Sequence, residues 1–248
     1  MRKDGRRNDE LRPVRITRNF LNTAEGSVLI QVGNTKVICT ATLEDKVPPF
    51  LRDQKRGWIT AEYGMLPRST PVRMTRESTA GRVSGRTQEI QRLIGRALRA
   101  VVDLGALPEK TIWIDCDVIQ ADGGTRTVAI TGAYVCLVDT VNYALRNGLL
   151  MRNPVVSAIA AISVGIVRGN PLLDLCYEED FAADVDMNVV MTGDGRVVEI
   201  QGTAEGRPFG LSTLHDMIAL AQKGISDLVA IQREAIGEKD YPGNPKQG

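Results

Sequence analysis

Seven stretches rich in Val, Ile and Thr predict strands: Val14–Arg18, Ser27–Val32, Lys36–Leu43, Thr111–Gln120, Val155–Val167, Asp184–Met191 and Val197–Ile200. Gly33-Asn34 and Asp194-Gly195 each stand between two such runs and predict hairpin turns. A helical period takes over in Gln88–Asp103, where Ile90, Leu93, Ile94, Ala97, Leu98 and Val101 share one face and Gly105 follows as a stop. Thr131–Asn147 overlaps the long apolar, helix-like run Val128 to Leu145 and is apolar nearly all round, so it predicts a central buried helix. Leu211–Gln222 places Leu211, Leu214, Ile218 and Ala221 on one face, and Ser226–Ile236 predicts a shorter helix after it.

The predicted order is strands, helix, strand, helix, strands, helix, helix. That order implies an α+β or mixed α/β fold in one domain. A chain of 248 residues is long enough to bury a sizeable core. No apolar run is read as reaching the roughly 18 residues of a membrane span, and the basic N-terminus lacks a following apolar stretch, so the expectation is no membrane segment and no signal peptide. Cys39, Cys116, Cys136 and Cys176 show no metal-type spacing and sit in apolar or strand-like runs. They read as reduced core thiols in a cytoplasmic protein. Pro67–Arg86 has neither period and holds Arg68, Arg73, Arg76, Arg82 and Arg86; a loop that long is functional or mobile. Residues 238–248 are expected to form a fraying tail after a catalytic domain of residues 1–237.

Charge changes this picture, because its distribution is lopsided although the net value is only +1. Residues 1–99 carry 20 Lys+Arg against 10 Asp+Glu, which leaves −9 for residues 100–248. A basic half suits a polyanion and an acidic half can hold a metal. Alternatively, the two halves pair with each other on folding.

Three groups of residues could carry chemistry. Asp122-Gly123-Gly124-Thr125-Arg126-Thr127 joins a strand-like run to a helix-like one. Glycines let backbone N–H groups approach a ligand, Thr125 adds a hydroxyl, Arg126 adds a guanidinium fork, and the helix start behind them favours an anion. This reads as a phosphate site; the plainer alternative is a junction with an exposed arginine. Arg86 opens the helix near Thr87 and could supply a second phosphate ligand. The acidic set Asp174, Glu178, Glu179, Asp180, Asp184 and Asp186 is the third group. Strand period puts Asp184 and Asp186 on one face, with Asp180 in the turn before. Such carboxylates can bind Mg²⁺, supply a general acid of raised pKa, or form a solvated face paired to the basic half. The arginines Arg92, Arg96 and Arg99 share a helix face that reads as solvated or interfacial. His215 is the single histidine and reads as structural; no Gly-x-Ser-x-Gly elbow and no Gly-Lys-Ser/Thr phosphate loop is present.

Ordered motifs over residues 2–236 resemble the ribonuclease PH family: Arg2-Lys3-Asp4-Gly5-Arg6, Glu10-Leu11-Arg12-Pro13, Gly57-Trp58-Ile59-Thr60-Ala61-Glu62-Tyr63, Gly85-Arg86-Thr87-Gln88-Glu89, Asp122–Thr127, Asp184-Val185-Asp186-Met187-Asn188 and Gln201-Gly202-Thr203-Ala204-Glu205. The resemblance implies an α+β fold of mixed sheets and helices of the ribosomal-protein-S5 second-domain type, in a single ribonuclease PH domain. It implies phosphorolytic 3′-to-5′ trimming of RNA, notably tRNA precursors, with inorganic phosphate as co-substrate and nucleoside 5′-diphosphates as products. It implies a homohexameric ring, a trimer of dimers. Family phosphate ligands fall on Arg86, Gly124, Thr125 and Arg126. Family active-site carboxylates fall on Asp180 and Asp186, with Asp184 nearby. Asp180 and Asp186 are the expected ligands of Mg²⁺ or Mn²⁺. Family RNA-contacting arginines fall on Arg68, Arg73 and Arg76. The rival readings are a hydrolytic two-metal exonuclease and a non-catalytic RNA-binding subunit of a ring.

Overall fold

A computed structural model describes residues 2–242. Its elements run β1 (Val14–Arg18), β2 (Gly26–Val32), β3 (Thr35–Glu44), β4 (Trp58–Met65), α1 (Glu77–Ala80), α2 (Gly85–Arg99), β5 (Thr111–Gln120), α3 (Thr125–Arg146), β6 (Ile159–Val167), β7 (Asn170–Leu173), α4 (Tyr177–Phe181), β8 (Val185–Thr192), β9 (Val197–Ala204) and α5 (Leu211–Ile236). They form a five-stranded sheet in the order β1-β2-β3-β5-β4 and a four-stranded sheet in the order β7-β6-β8-β9. All neighbours are antiparallel except β4 and β5, which run parallel. This is the expected α+β architecture.

The two sheets share α3 as their common partner. Its apolar circumference follows from that position: Val128, Ile130, Ala133, Tyr134, Leu137 and Val141 are all buried, together with β2, β3 and β5 on one side and Ile159, Ala161 and Val190 of the second sheet on the other. Contrary to the expectation that no apolar run is long enough, α3 could cross a membrane by length and mean hydropathy; 89% of its most apolar window is buried inside the protein. The reverse face of the second sheet, with Ile162, Val164, Met187 and Val189, packs on Met217, Ala221, Ile225 and Leu228 of α5.

Several boundaries differ from expectation. The expected helices Leu211–Gln222 and Ser226–Ile236 are one 26-residue α5, because the joining residues Lys223-Gly224-Ile225 keep the apolar stripe in phase, and Gly224 fits where a side chain would strike Leu173. The strand expected from Val155 begins at Ile159. Strand β8 begins at Val185, leaving Asp184 just outside it. The expected loop Pro67–Arg86 contains the short helix α1 and the first two residues of α2. Strands β4 and β7 were not expected; β4 alternates as a strand should, but its inward positions Ala61 and Tyr63 give a weaker apolar signal than Val or Ile. Cys39, Cys116 and Cys136 are buried and free, with the Cys39 and Cys116 sulfurs 3.7 Å apart across β3 and β5; Cys176 is half-buried at the start of α4. In the segment expected to fray, residues 238–242 meet the body: Asp240 pairs with Arg18 at 3.4 Å and its carbonyl accepts from Asn142. Residues 243–248 of that tail lie outside the described residues.

Candidate active site

The Gly-Gly turn and the acidic strand converge because both lie at the N-terminal end of α3. Along β8, Val190, Asn188 and Asp186 share one face by the strand period. Val190 belongs to the core packed on α3. Two and four residues earlier, the same face passes the N-terminus of α3, and apolar gives way to Asn188 and Asp186. Across the ladder Asn188 sits opposite Ser163 and Gln201, and Asp186 opposite Gly165 and Thr203. The result is a cleft of about 1000 Å³ whose lining includes Arg68, Arg86, Gly124, Thr125, Arg126, Asp180, Asp186 and Asn188.

The phosphate-type wall is tightly held. Gly123 and Gly124 have φ of 78° and 67°, a region that disfavours side chains. At Gly123 a Cβ would come within 2.5 Å of the Leu175 carbonyl, so the missing side chain lets the turn lie against the chain entering α4. Gly124 caps α3 without a side-chain bond, leaving the N–H groups of the first turn without intrahelical partners beside the cleft. Thr125 is buried and accepts a 2.8 Å hydrogen bond from the Tyr63 hydroxyl on β4. Burial raises the Tyr63 pKa, against the opposing effects of that bond and of Arg86 and Arg126, so the phenol stays a donor. Arg126 donates from Nη1 to Gln201 at 2.8 Å and to Glu89 at 3.2 Å. Arg86 is exposed in the first turn of α2, whose start is fixed by Ser84: its hydroxyl accepts from the Thr87 N–H, and Glu77 accepts from both Ser84 N–H and the Thr87 hydroxyl.

On the opposite wall, Asp180 projects from α4. Burial and the nearby Asp186 raise its pKa, while Arg86, Arg126 and Arg12 oppose the rise. Asp186 keeps Oδ1 buried without a hydrogen-bond partner among the described residues. The rest of the acidic set is divided. Asp174 pairs with Arg12 at 2.7 Å, Glu179 with Arg2 at 2.6 Å and Glu178 with Lys3 at 2.5 Å. The pairing of acidic and basic halves therefore accounts for these three, and Asp180 and Asp186 are left for the cleft. Asp184 is exposed and does not line the cleft.

The arginine loop meets the cleft only in part. Arg68 lines it with Ser69, Thr70, Pro71 and Val72; Arg73 and Arg76 do not. All three arginine side chains are exposed, without a hydrogen-bond or ion-pair partner among the described residues. Of the helical trio, Arg96 pairs with Glu199 at 2.8 Å and Arg99 lies 4.3 Å over the Trp58 ring, so that face is partly used in packing. His215 is exposed on α5 and does not line the cleft. The supporting residues Tyr63, Gln201, Glu89 and Glu77 are not singled out by the sequence, since each acts through a partner that local pattern does not reveal; Tyr63, Glu89 and Gln201 do fall inside the ordered motifs.

The chain is similar to known proteins along most of its length. The pattern of the 3′ exoribonuclease family, domain 1, matches residues 10–141, and that of domain 2 of the same family matches residues 157–224. A protein of Halalkalibacterium halodurans named ribonuclease PH is 60% identical over 238 residues, covering 96% of this chain and 93% of that one. A ribonuclease PH of Bacillus velezensis is 59% identical over 239 residues, covering 96% and 98%. Among solved structures, rice (Oryza sativa) Rrp46 superposes with a TM-score of 0.77 at 19% identity, over 95% of this chain and all of that one. The Archaeoglobus fulgidus exosome with RNA bound to the active site gives 0.79 at 24% identity, over 93% and 92%. The structures establish likeness of fold. The chain belongs to the 3′ exoribonuclease family. Its activity is that of the ribonuclease PH group within it: 3′-to-5′ exoribonuclease action with inorganic phosphate as substrate.

Proposed function

We propose that the cleft performs this phosphorolysis with Arg86, Gly124, Thr125 and Arg126 as the phosphate site and Asp180 and Asp186 as the catalytic carboxylates. The observation that carries the reading is their convergence on one cleft from α2, α3, α4 and β8. Two anions must meet there, the phosphate nucleophile and the last phosphodiester of the RNA. Arg86, Arg126 and the N–H groups of the α3 start offset their repulsion and hold the nucleophile in line. An oxygen of inorganic phosphate attacks the phosphorus, the bond from phosphorus to the penultimate 3′-oxygen breaks, and that oxygen takes up one proton. The products are a nucleoside 5′-diphosphate and an RNA shortened by one residue.

Asp180 and Asp186 fit Mg²⁺ or Mn²⁺: the Asp186 Oδ1 is buried without a donor, and two carboxylates beside a phosphate site suit a hard cation that keeps waters and phosphate oxygens. Such an ion, when bound, supplies positive charge against the departing oxygen. Asp180, with its raised pKa, offers a second metal oxygen or, protonated, the proton the leaving group needs. Asp184, outside the cleft, is left out of the chemistry. Arg68, Arg73 and Arg76 contact the RNA backbone upstream. The substrates are tRNA precursors and other single-stranded 3′ ends, the assembly is a homohexameric ring built as a trimer of dimers, and the setting is cytoplasmic.

Incubating a 3′-extended tRNA precursor with the protein and Mg²⁺, with and without phosphate, tests the chemistry. Diphosphates formed only with phosphate are expected. Monophosphates at an unchanged rate without phosphate would establish the hydrolytic rival, and no product in either case the non-catalytic ring subunit.

A further inference from the structure

We propose that Arg12 is a positioning residue for the phosphate nucleophile: from the N-terminal segment it clamps the Gly-Gly turn so that the turn's N–H groups, and not its carbonyls, face the cleft. The inference rests on the phosphate-site reading above and adds the device that shapes it.

Two successive glycines would leave the turn free to sample many conformations. A peptide flip at either one would point a carbonyl oxygen at the phosphate and repel it. The carbonyls are instead taken up on the protein side. Arg12 donates from Nη1 to the Asp122 carbonyl at 2.5 Å and from Nη2 to the Gly123 carbonyl at 3.4 Å. The Thr35 hydroxyl donates to the Gly123 carbonyl at 2.8 Å and accepts from the Asp122 N–H at 2.9 Å. The Gly124 carbonyl accepts from the Thr127 hydroxyl and the Val128 N–H, both at 2.9 Å. Every carbonyl of the turn is thus engaged away from the cleft.

Arg12 can hold that position because it is itself fixed. It is only 4% exposed. Its Nε and Nη2 form a two-pronged pair with the Asp174 carboxylate at 2.9 and 2.7 Å, and its backbone N–H reaches the same carboxylate at 2.8 Å. Its stem passes over the β2–β3 hairpin at Gly33, where a Cβ would come within 2.7 Å of Arg12 Cδ; the hairpin glycine clears the way as well as making the turn. The neighbouring arginines Arg2 and Arg6 reach Glu179, the residue before Asp180, at 2.6 and 3.6 Å. One short N-terminal segment therefore holds the phosphate turn directly and α4 through Glu179. The fork geometry is essential: a lysine carries the charge but cannot serve a carboxylate in two-pronged fashion and two carbonyls at once.

Steady-state kinetics on Arg12→Lys and Thr35→Val, each titrated separately with inorganic phosphate and with RNA, test the clamp. Arg12→Lys is expected to raise KM for phosphate by about ten- to a hundredfold, the scale of misplacement effects in closed sites, with KM for RNA unchanged. Thr35→Val keeps the buried shape, removes one of the two donors to the Gly123 carbonyl, and is expected to raise the same KM several-fold. Arg126→Ala serves as the control on the site itself. If Arg126→Ala raises KM for phosphate while both clamp variants leave it at the wild-type value, Arg12 only stabilises the fold and the proposal is overturned. If Arg126→Ala leaves it unchanged too, the phosphate site has been misassigned. Should Arg12→Lys fail to fold, the Thr35→Val result decides alone.

Discussion

The two cationic regions of this protein are built in opposite ways. At the start of α3, Arg126 is largely buried and tied to Gln201 and Glu89, Thr125 is held by Tyr63, and the turn before them is engaged at every carbonyl. In the loop after β4, where only Arg68 lines the cleft, the side chains of Arg68, Arg73 and Arg76 are exposed and have no hydrogen-bond or ion-pair partner among the described residues. Their loop is tied down at its base, by Ala121 N–H to the Ser69 carbonyl and Met74 N–H to the Pro67 carbonyl, and not at its charges. Under the proposed function, the contrast follows from what each region would meet. A reacting phosphate must be held to a fraction of an ångström, so Thr125, Arg126 and the turn before them are fixed before it arrives. A passing RNA backbone presents many phosphates in many conformations, and long exposed arginines follow it best.

The largest effect is expected at the carboxylates. Asp180→Asn and Asp186→Asn should each nearly abolish turnover while RNA affinity stays the same or rises, since a negative charge is removed beside a polyanion. Single-turnover rates together with filter-binding affinities measure both; near-normal turnover in both variants returns the pair to a solvated acidic face. Next comes Arg126→Ala, which should raise KM for phosphate and lower turnover. A charge-assisted contact in a closed site is worth about 1.5–3 kcal/mol, or roughly ten- to a hundredfold. RNA binding in the absence of phosphate should not change; a loss confined to RNA binding would move Arg126 to the RNA-contacting group.

The loop arginines should act on affinity alone. Binding of single-stranded RNA falls by about 0.7 log units per log unit of salt for each phosphate neutralised, so the Arg68→Ala, Arg73→Ala, Arg76→Ala triple variant should show a slope shallower by up to about two units. Turnover of very short RNAs should hardly change. An unchanged slope with a smaller particle on gel filtration would assign these arginines to contacts between subunits and erase the contrast. The smallest effect is expected at the support beneath the phosphate wall. Tyr63→Phe removes one neutral hydrogen bond to Thr125, worth about 0.5–1.5 kcal/mol, and should raise KM for phosphate only a few-fold. A null result by phosphate titration would mean that Thr125 is held well enough by the helix alone.

Local pattern determined much of this protein. Strand alternation located β1, β2, β3 and β5 to within a residue or so, because their hairpins and one-sided burial write the period into neighbouring residues. The all-round apolar character of α3 announced a helix with no solvent face, and the motifs named Arg86, Gly124, Thr125, Arg126, Asp180 and Asp186 without a structure. The tertiary structure alone decided which of six clustered carboxylates stay available, because three are consumed by arginines and a lysine of the N-terminal segment more than 160 residues away. It also decided that Asp186 meets the cleft and Asp184 does not. Both obey the same strand period, but period fixes only the face. Where along that face the core ends and the cleft begins depends on where α3 stops, and nothing within β8 records the position of another element's end.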